Sequence, residues 1–356
     1  MSNRKARPLA EHPKILALQA SRGVAALLVV LCHVSAFVGQ EPTLWHRYGI
    51  YLWLRGTSLG VQLFFVLSGI VIYAAHKEDF DKPSTAPTFY WKRFRRIYPL
   101  YWIFLLLTVL AHSAAPAAGQ GNRSGPLVLF SNVVLIHLFS YQTDMVVAWT
   151  LFDEVLFYLA FSTLLLNRRI GAIILVLWMG ASFFFLVPSG TYWPSIFSPN
   201  HLLFGMGIFI AWMLEKNTAA PVKIIFWAGI VLFIACIVVD GPLERGIAVY
   251  LAAGVGAAAI LFGAAMLERQ GELTVPAWLA FLGDASYSIY LAHFMVISAV
   301  ARFSYSHLRR LPLPTGAWMI LLFLCGIAAG IVTHLVFERP LLRILGKRVA
   351  TQSVSL

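Results

Sequence analysis

Apolar runs of about bilayer length recur along this chain, at 15–38, 57–76, 97–113, 149–167, 170–188, 200–215, 222–240, 246–267, 279–302 and 316–337. Backbone polar groups in hydrocarbon must be satisfied within the segment, so runs of this length predict ten transmembrane helices. Apolar residues make up 60% of the chain and charged residues 12%, with a mean hydropathy of +0.78, which excludes the soluble globular classes. The expected fold is an all-α polytopic membrane protein.

The net charge of +12 is not a nucleic-acid signal, because most Lys and Arg lie in short segments beside the apolar runs. With the N-terminus cytoplasmic, Lys77, Lys82, Lys92, Arg93, Arg95, Arg96, Arg168, Arg169, Lys216, Lys223, Arg339, Arg343, Lys347 and Arg348 all fall inside, and so does the C-terminus. That agreement requires the run at 126–141, PLVLFSNVVLIHLFSY, not to cross, so it is expected as a short re-entrant or interfacial segment. Arg302, Arg309 and Arg310 are left outside, either over a negatively charged ligand or as an exception to the charge rule. The N-terminus with Arg4, Lys5, Arg7 and Lys14 reads as a retained tail rather than a cleaved signal. Cys32, Cys236 and Cys325 lie in apolar runs without paired spacing, so neither a disulfide framework nor a zinc site is implied. No loop is long enough to fold alone, and the chemistry is expected to be built from helices and short connections.

The first run, LALQASRGVAALLVVLCHVSAFV, carries Arg22 and His33. Eleven helical steps place them roughly 16 Å apart along the axis and about 20° apart around it, on one face. A charge inside a span costs about 2.5–3.5 kcal/mol or more, so this face is expected to line a protein interior or a watery path. Imidazole titrates near neutrality and can take a proton from a hydroxyl or attack an acyl group itself, which makes His33 the candidate catalyst. Cys32 lies about 100° away and forms no dyad with it. The remaining histidines lack metal-ligand spacing, and no metal is expected.

Four further stretches carry polar chemistry. In KRFRRIYPLYW (92–102), Arg93 and Arg96 share a helix face and could clamp phosphate, or serve as a cytoplasmic anchor beside the aromatic belt of Tyr98, Tyr101 and Trp102. Ser68 and Gly69 form a small step that means close helix packing or room for a ligand. Asp153 and Glu154 point about 100° apart, so one can act as a base or imidazole partner while the other caps the helix; Glu154, one turn from Tyr158, is the preferred chemical group. Ser286, Tyr290 and His293 recur at four and three residues as an inward polar stripe, either a tunnel lining or interhelical hydrogen bonding.

Taken in order, these motifs resemble the acyltransferase 3 family of integral membrane acyltransferases. The resemblance rests on Arg22 and His33, FFVLSG (64–69), Arg93 and Arg96 before IYPLYW, WTLFDEVLFY (149–158), SYSIYLAH (286–293) and FERP (337–340), and spans nearly the whole chain. Ile70 and Thr150 depart from the family pattern without removing an acid, base or nucleophile. The resemblance implies a transmembrane acyltransferase domain over 1–346 with a C-terminal tail at 347–356. It implies transfer of an acyl group, most often acetyl, from cytoplasmic acetyl-CoA or another acyl-CoA to a carbohydrate hydroxyl at the outer face of a bacterial inner membrane. The expected acceptor is an exopolysaccharide or its lipid-linked repeat unit, and partners in polysaccharide biosynthesis are possible. Arg22, Arg93, Arg96, Ser68 and Tyr98 would then bind the donor. His33 and Glu154 would be catalytic, and Asp153, Tyr158, Ser286, Tyr290 and His293 would line the tunnel. Direct transfer and an acyl-imidazole intermediate both remain open, and Trp45, Trp53, Tyr192 and Trp193 are candidates for stacking on sugar. A polysaccharide or anion exporter is the alternative from another class; the chain shows no internal repeat that would favour it.

Overall fold

A computed structural model describes residues 15–39, 53–114, 125–137, 143–184, 195–216, 220–240, 246–308 and 314–352. They form helices and connections with no strand among the described residues. The helices are α1 Leu16–Gly39, α2 Gly60–His76, α3 Ala86–Ala114, α4 Pro126–Val134, α5 Trp149–Leu166, α6 Arg168–Phe184, α7 Asn200–Glu215, α8 Val222–Asp240, α9 Ile247–Arg269, α10 Ala277–Phe303, α11 Thr315–Thr333 and α12 Arg339–Gln352. The chain passes from α11 into α12 through one wide π turn, His334–Glu338. Arg309, Arg310, Trp45, Tyr192 and Trp193 lie outside the described residues. The expected tail begins as helix, since α12 reaches Gln352.

Eight helical segments among the described residues are long and apolar enough to cross a membrane. The two remaining expected runs fold as α6 and α7, which at 17 and 16 residues are shorter than each of those eight segments. The run at 126–141 behaves differently. Its helix α4 has nine residues and stops at Leu135, whose φ of 56° is left-handed. Nine residues rise about 13 Å, less than half the thickness of a bilayer core.

What holds so short a helix is the aromatic cluster of α3. Helix C-termini expose carbonyls that must find donors. Tyr101 donates its hydroxyl to Asn132 O at 2.9 Å, Trp102 its indole N–H to Val133 O at 3.0 Å, and Tyr98 its hydroxyl to Val134 O at 2.9 Å. Three aromatics spaced to follow one face of α3 therefore dock the end of α4. The start of α1 is held in a similar way, with Leu16 and Ala17 N–H donating to the Glu268 carboxylate at 2.9 and 2.6 Å.

Elsewhere small residues set the packing. A Cβ on Gly69 of α2 would lie 2.2 Å from Phe204 O, and one on Gly207 of α7 would lie 2.1 Å from Val66 O, so these two helices touch backbone to backbone. Helix α1 meets α10 as closely: Gln19 O occupies the place where a Cβ on Gly283 would stand, at 1.8 Å. In lipid, where no water is expelled when helices meet, such close approach supplies the dispersion contacts that hold them together.

Tyr101 is fully buried, so Tyr101→Phe should leave the Asn132 carbonyl with only the Leu135 N–H at 3.3 Å and destabilise the protein by about 0.5–1.5 kcal/mol. Thermal unfolding in detergent, compared with the wild type, measures the loss.

Candidate active site

Helices α1, α2, α3, α5 and α10 enclose a cavity of about 120 Å³. Its wall collects charge from distant parts of the chain: Arg22 from α1, Arg93 and Arg96 from α3, and Glu154 from α5. Ser68, Tyr158, Ser286, Tyr287 and Tyr290 complete the polar lining, with Phe64, Phe65 and Ile97 among the apolar part.

Glu154 is held on one oxygen. Ser68 Oγ donates to Glu154 Oε1 at 2.9 Å, and Tyr158 OH donates to the same oxygen from one turn along α5. The other oxygen, Oε2, has no hydrogen-bond partner among the described residues. Gly69 thus makes the close contact with α7 while Ser68, one residue earlier, serves the carboxylate. Close helix packing is the reading that Gly69 bears out, while Ser68 stands in the cavity wall.

The two arginines of α3 share the cavity but have different partners. Arg96 Nη1 donates to Glu338 Oε1, and its guanidinium lies 5.4 Å from the centre of the Tyr287 ring. Glu338 is 2% exposed, and its second oxygen accepts from Ser288 Oγ at 2.7 Å and His334 Nδ1 at 2.6 Å. His334 Nε2 accepts in turn from Arg339 Nε at 3.1 Å. The π turn brings His334 and Glu338 together on the inner side of α11, so a buried carboxylate acquires a full set of donors, which such a charge requires. Arg93 instead lies 5.9 and 5.8 Å from the Phe89 and Tyr158 ring centres, with Nη2 3.4 Å from His76 Nε2. The pair is not a preformed bidentate clamp, because Glu338 already occupies one fork.

Besides Glu154 Oε2 and the buried Arg93 Nε, two more groups at the cavity lack a hydrogen-bond partner among the described residues. Ser286 Oγ is buried with no hydrogen-bond partner among the described residues. Arg22 likewise makes no hydrogen bond or ion pair to a described residue, although it lines the same space.

His33 lies beyond this cavity, not in its wall. Tyr290 is the link: its hydroxyl bonds Thr150 Oγ1 at 2.7 Å and donates to Val147 O at 2.6 Å, and its ring centre lies 6.1 Å from that of His293. His293 Nε2 is 3.1 Å from His33 Nδ1, and Phe294 stands edge-on to His33 with ring centres 5.3 Å apart. The imidazole partner of His33 is therefore His293; Glu154, for which orienting the imidazole was one of two open roles, is drawn to Ser68 and Tyr158.

Other expected site residues are placed elsewhere. Asp153 points away from the cavity toward α7, accepting from Asn200 Nδ2 and, at 3.2 Å, from Ser198 Oγ. The 100° step between adjacent helical residues is the reason it parts from Glu154. Tyr98 is spent on the end of α4 and lines a neighbouring apolar cleft with Arg93 and Tyr158 rather than the charged cavity. Glu338 and His334 were missed as site residues, although their spacing of four, just before the FERP proline, was a readable sign of a pair.

A family model for an acyltransferase domain matches residues 15–336. The chain belongs to the acyltransferase 3 family. It is 30% identical over 307 residues to the exopolysaccharide production protein ExoZ of Rhizobium meliloti (strain 1021), covering 80% of this chain and 90% of that protein. Acyltransferase MdmB of Streptomyces mycarofaciens is 28% identical over 377 residues, with 94% of each chain covered. Protein 2 in the picA locus of Rhizobium radiobacter is 36% identical over 95 residues, covering 26% of this chain and 44% of that protein. No solved structure matches the chain. The acyltransferase 3 motifs read from the sequence thus fall into two groups here. One closes a charged cavity within the helix bundle, and the other builds the histidine pair next to it.

Glu338→Ala would leave Arg96, Ser288 and His334 facing an empty site. It should cost about 3–5 kcal/mol of stability, and Glu338→Gln distinctly less because the amide oxygen still accepts. Unfolding midpoints of the two variants in detergent check the order.

Proposed function

We propose that this acyltransferase moves an acetyl group from cytoplasmic acetyl-CoA to a carbohydrate hydroxyl at the outer face of a bacterial inner membrane. The acceptor is an exopolysaccharide or its lipid-linked repeat unit. The observation that carries this reading is a cavity inside the helix bundle with unanswered Arg22 and Ser286 in its wall, next to a histidine pair on the same two helices. The exopolysaccharide link of ExoZ supports the choice of acceptor.

The ends of the bundle support a cytoplasmic donor side. Lys77 bridges to Glu215 at 2.7 Å, which brings the ends of α2 and α7 together, and Glu268 holds the end of α9 at the start of α1. Arg168 N–H donates to Asp81 Oδ1 at 2.6 Å on that same side. Basic residues are concentrated there, the pattern of a cytoplasmic face. With α6 and α7 crossing as short spans in a locally thinned bilayer, the chain makes ten crossings and both termini are cytoplasmic.

Arg22, Arg93 and Arg96 offer the donor a positive approach. The cavity is well below the size of a site that holds a drug-sized ligand, so it suits the slender acylated arm of the donor rather than its nucleotide end. Ser286 Oγ and Glu154 Oε2 are free to bond polar atoms along that arm. To react, the thioester must pass the Phe64 and Tyr290 edge of the cavity and reach His33. There His33 takes the proton of the acceptor hydroxyl, whose oxygen bonds to the thioester carbonyl carbon. The carbon–sulfur bond then breaks, and the CoA sulfur leaves with the proton that His33 held.

Purified protein in lipid nanodiscs, given acetyl-CoA and an exopolysaccharide repeat unit, should release free CoA thiol in step with acetylated product. Passage of the saccharide across vesicles without CoA release would overturn the enzyme reading in favour of an exporter. His33→Ala should lower transfer by about 10²–10⁴-fold with acetyl-CoA binding retained. Arg22→Gln should weaken acetyl-CoA binding in a direct titration while the protein stays folded, and unchanged affinity would remove Arg22 from the donor site.

A further inference from the structure

We infer that His293 is a positioning residue that holds His33 with its proton on Nδ1 and its bare Nε2 turned toward the reacting groups. The inference rests on the reading of His33 as the base and adds to it which nitrogen acts and what keeps it ready.

The hydrogen-bond chain fixes the tautomers. His293 is fully buried, and its Nδ1 lies 2.8 Å from Ile289 O, one turn back on α10. A carbonyl oxygen only accepts, so His293 Nδ1 carries a proton. No carboxylate contacts either ring among the described residues, and a neutral His293 then has a lone pair on Nε2. That lone pair faces His33 Nδ1 at 3.1 Å. His33 Nδ1 also lies 3.0 Å from Val29 O, one turn back on α1. Two acceptors converge on one nitrogen, so His33 Nδ1 is the donor to both, and Nε2 is left without a proton. The arrangement is the same on both helices: each ring gives Nδ1–H to its own helix.

Val29 O alone would fix the proton but not the plane of the ring. His293 adds a second, directional contact from across the α1–α10 interface, and Phe294 closes the ring edge. When His33 accepts a proton on Nε2, the bond from Nδ1–H to His293 becomes charge-assisted and strengthens. Its contribution therefore grows at the step where charge develops, which is how a group that never touches substrate raises turnover.

Magic-angle-spinning NMR of protein labelled with ¹⁵N- and ¹³C-histidine in lipid, with His33→Asn and His293→Asn difference spectra for assignment, reads both tautomers directly. Both rings should be protonated at Nδ1, with His33 Nδ1 correlated to His293 Nε2. Kinetically, His293→Phe keeps the ring bulk but has no acceptor, and should lower kcat about 10–100-fold with the KM for acetyl-CoA within twofold. His293→Gln, which can place an amide oxygen near the same point, should recover most of that loss. A wild-type His33 protonated at Nε2, or His293→Phe turning over at the wild-type rate, would overturn the inference. The wild-type spectrum decides even if His293→Phe fails to fold. Undiminished transfer by His33→Ala would instead remove His33 as the base and leave the tautomer assignment standing, so the two failures are separable.

Discussion

The close approach of α1 and α10 is the contact on which both the cavity and the histidine pair depend. Gly283 has no Cβ, and the space it leaves is taken by the Gln19 carbonyl of α1; Gly23 faces it in return. Backbones this near bring the side chains one turn away into register across the interface. Arg22 then shares a cavity with Ser286, and His33 meets His293 farther along the same two helices. A bulkier residue at position 283 would move the helices apart and separate both pairs together. In a membrane this matters more than in water, because helix association gains nothing from expelling solvent and depends on packing.

The second constraint is the cost of charge inside the bundle. Most of the ionic groups at the site are already answered by the protein. Glu338 gathers Arg96, Ser288 and His334, and Glu154 gathers Ser68 and Tyr158 on one of its oxygens. Glu154 in the wall and Glu338 behind Arg96 are thereby held in place, since breaking any one bond leaves a buried charge short of a partner. Arg22, Ser286 Oγ, Glu154 Oε2 and Arg93 Nε have no hydrogen-bond partner among the described residues, and they are available to a guest. The division into fixed and available polarity is what turns a buried polar cluster into a binding cavity.

Particular residues show how far the sequence could be read. The spacing of Arg22 and His33 placed them on one face; Arg22 lines the charged cavity and His33 meets His293 of α10. Tyr98, Tyr101 and Trp102 read as an interfacial belt, whereas in the structure they satisfy the last carbonyls of α4. The short run at 126–141 was legible as non-spanning from charge parity, but the means of holding it was not. Glu154 was legible as pointing about 100° away from Asp153. Its partner was not, because a carboxylate near the depth of an imidazole is no evidence of contact when a serine and a tyrosine lie closer.

By itself the sequence determined the membrane environment, the helices and the family. These follow from run length, apolar content and motif order, which are properties of local segments. Tertiary structure alone decided that His33 pairs with His293, that Glu338 takes Arg96, that Asp153 turns to α7, and that the charged cavity stops short of His33. Each of these is a choice among partners many residues apart along the chain, made by helix contacts through glycines whose consequence for distant side chains no spacing within one helix encodes.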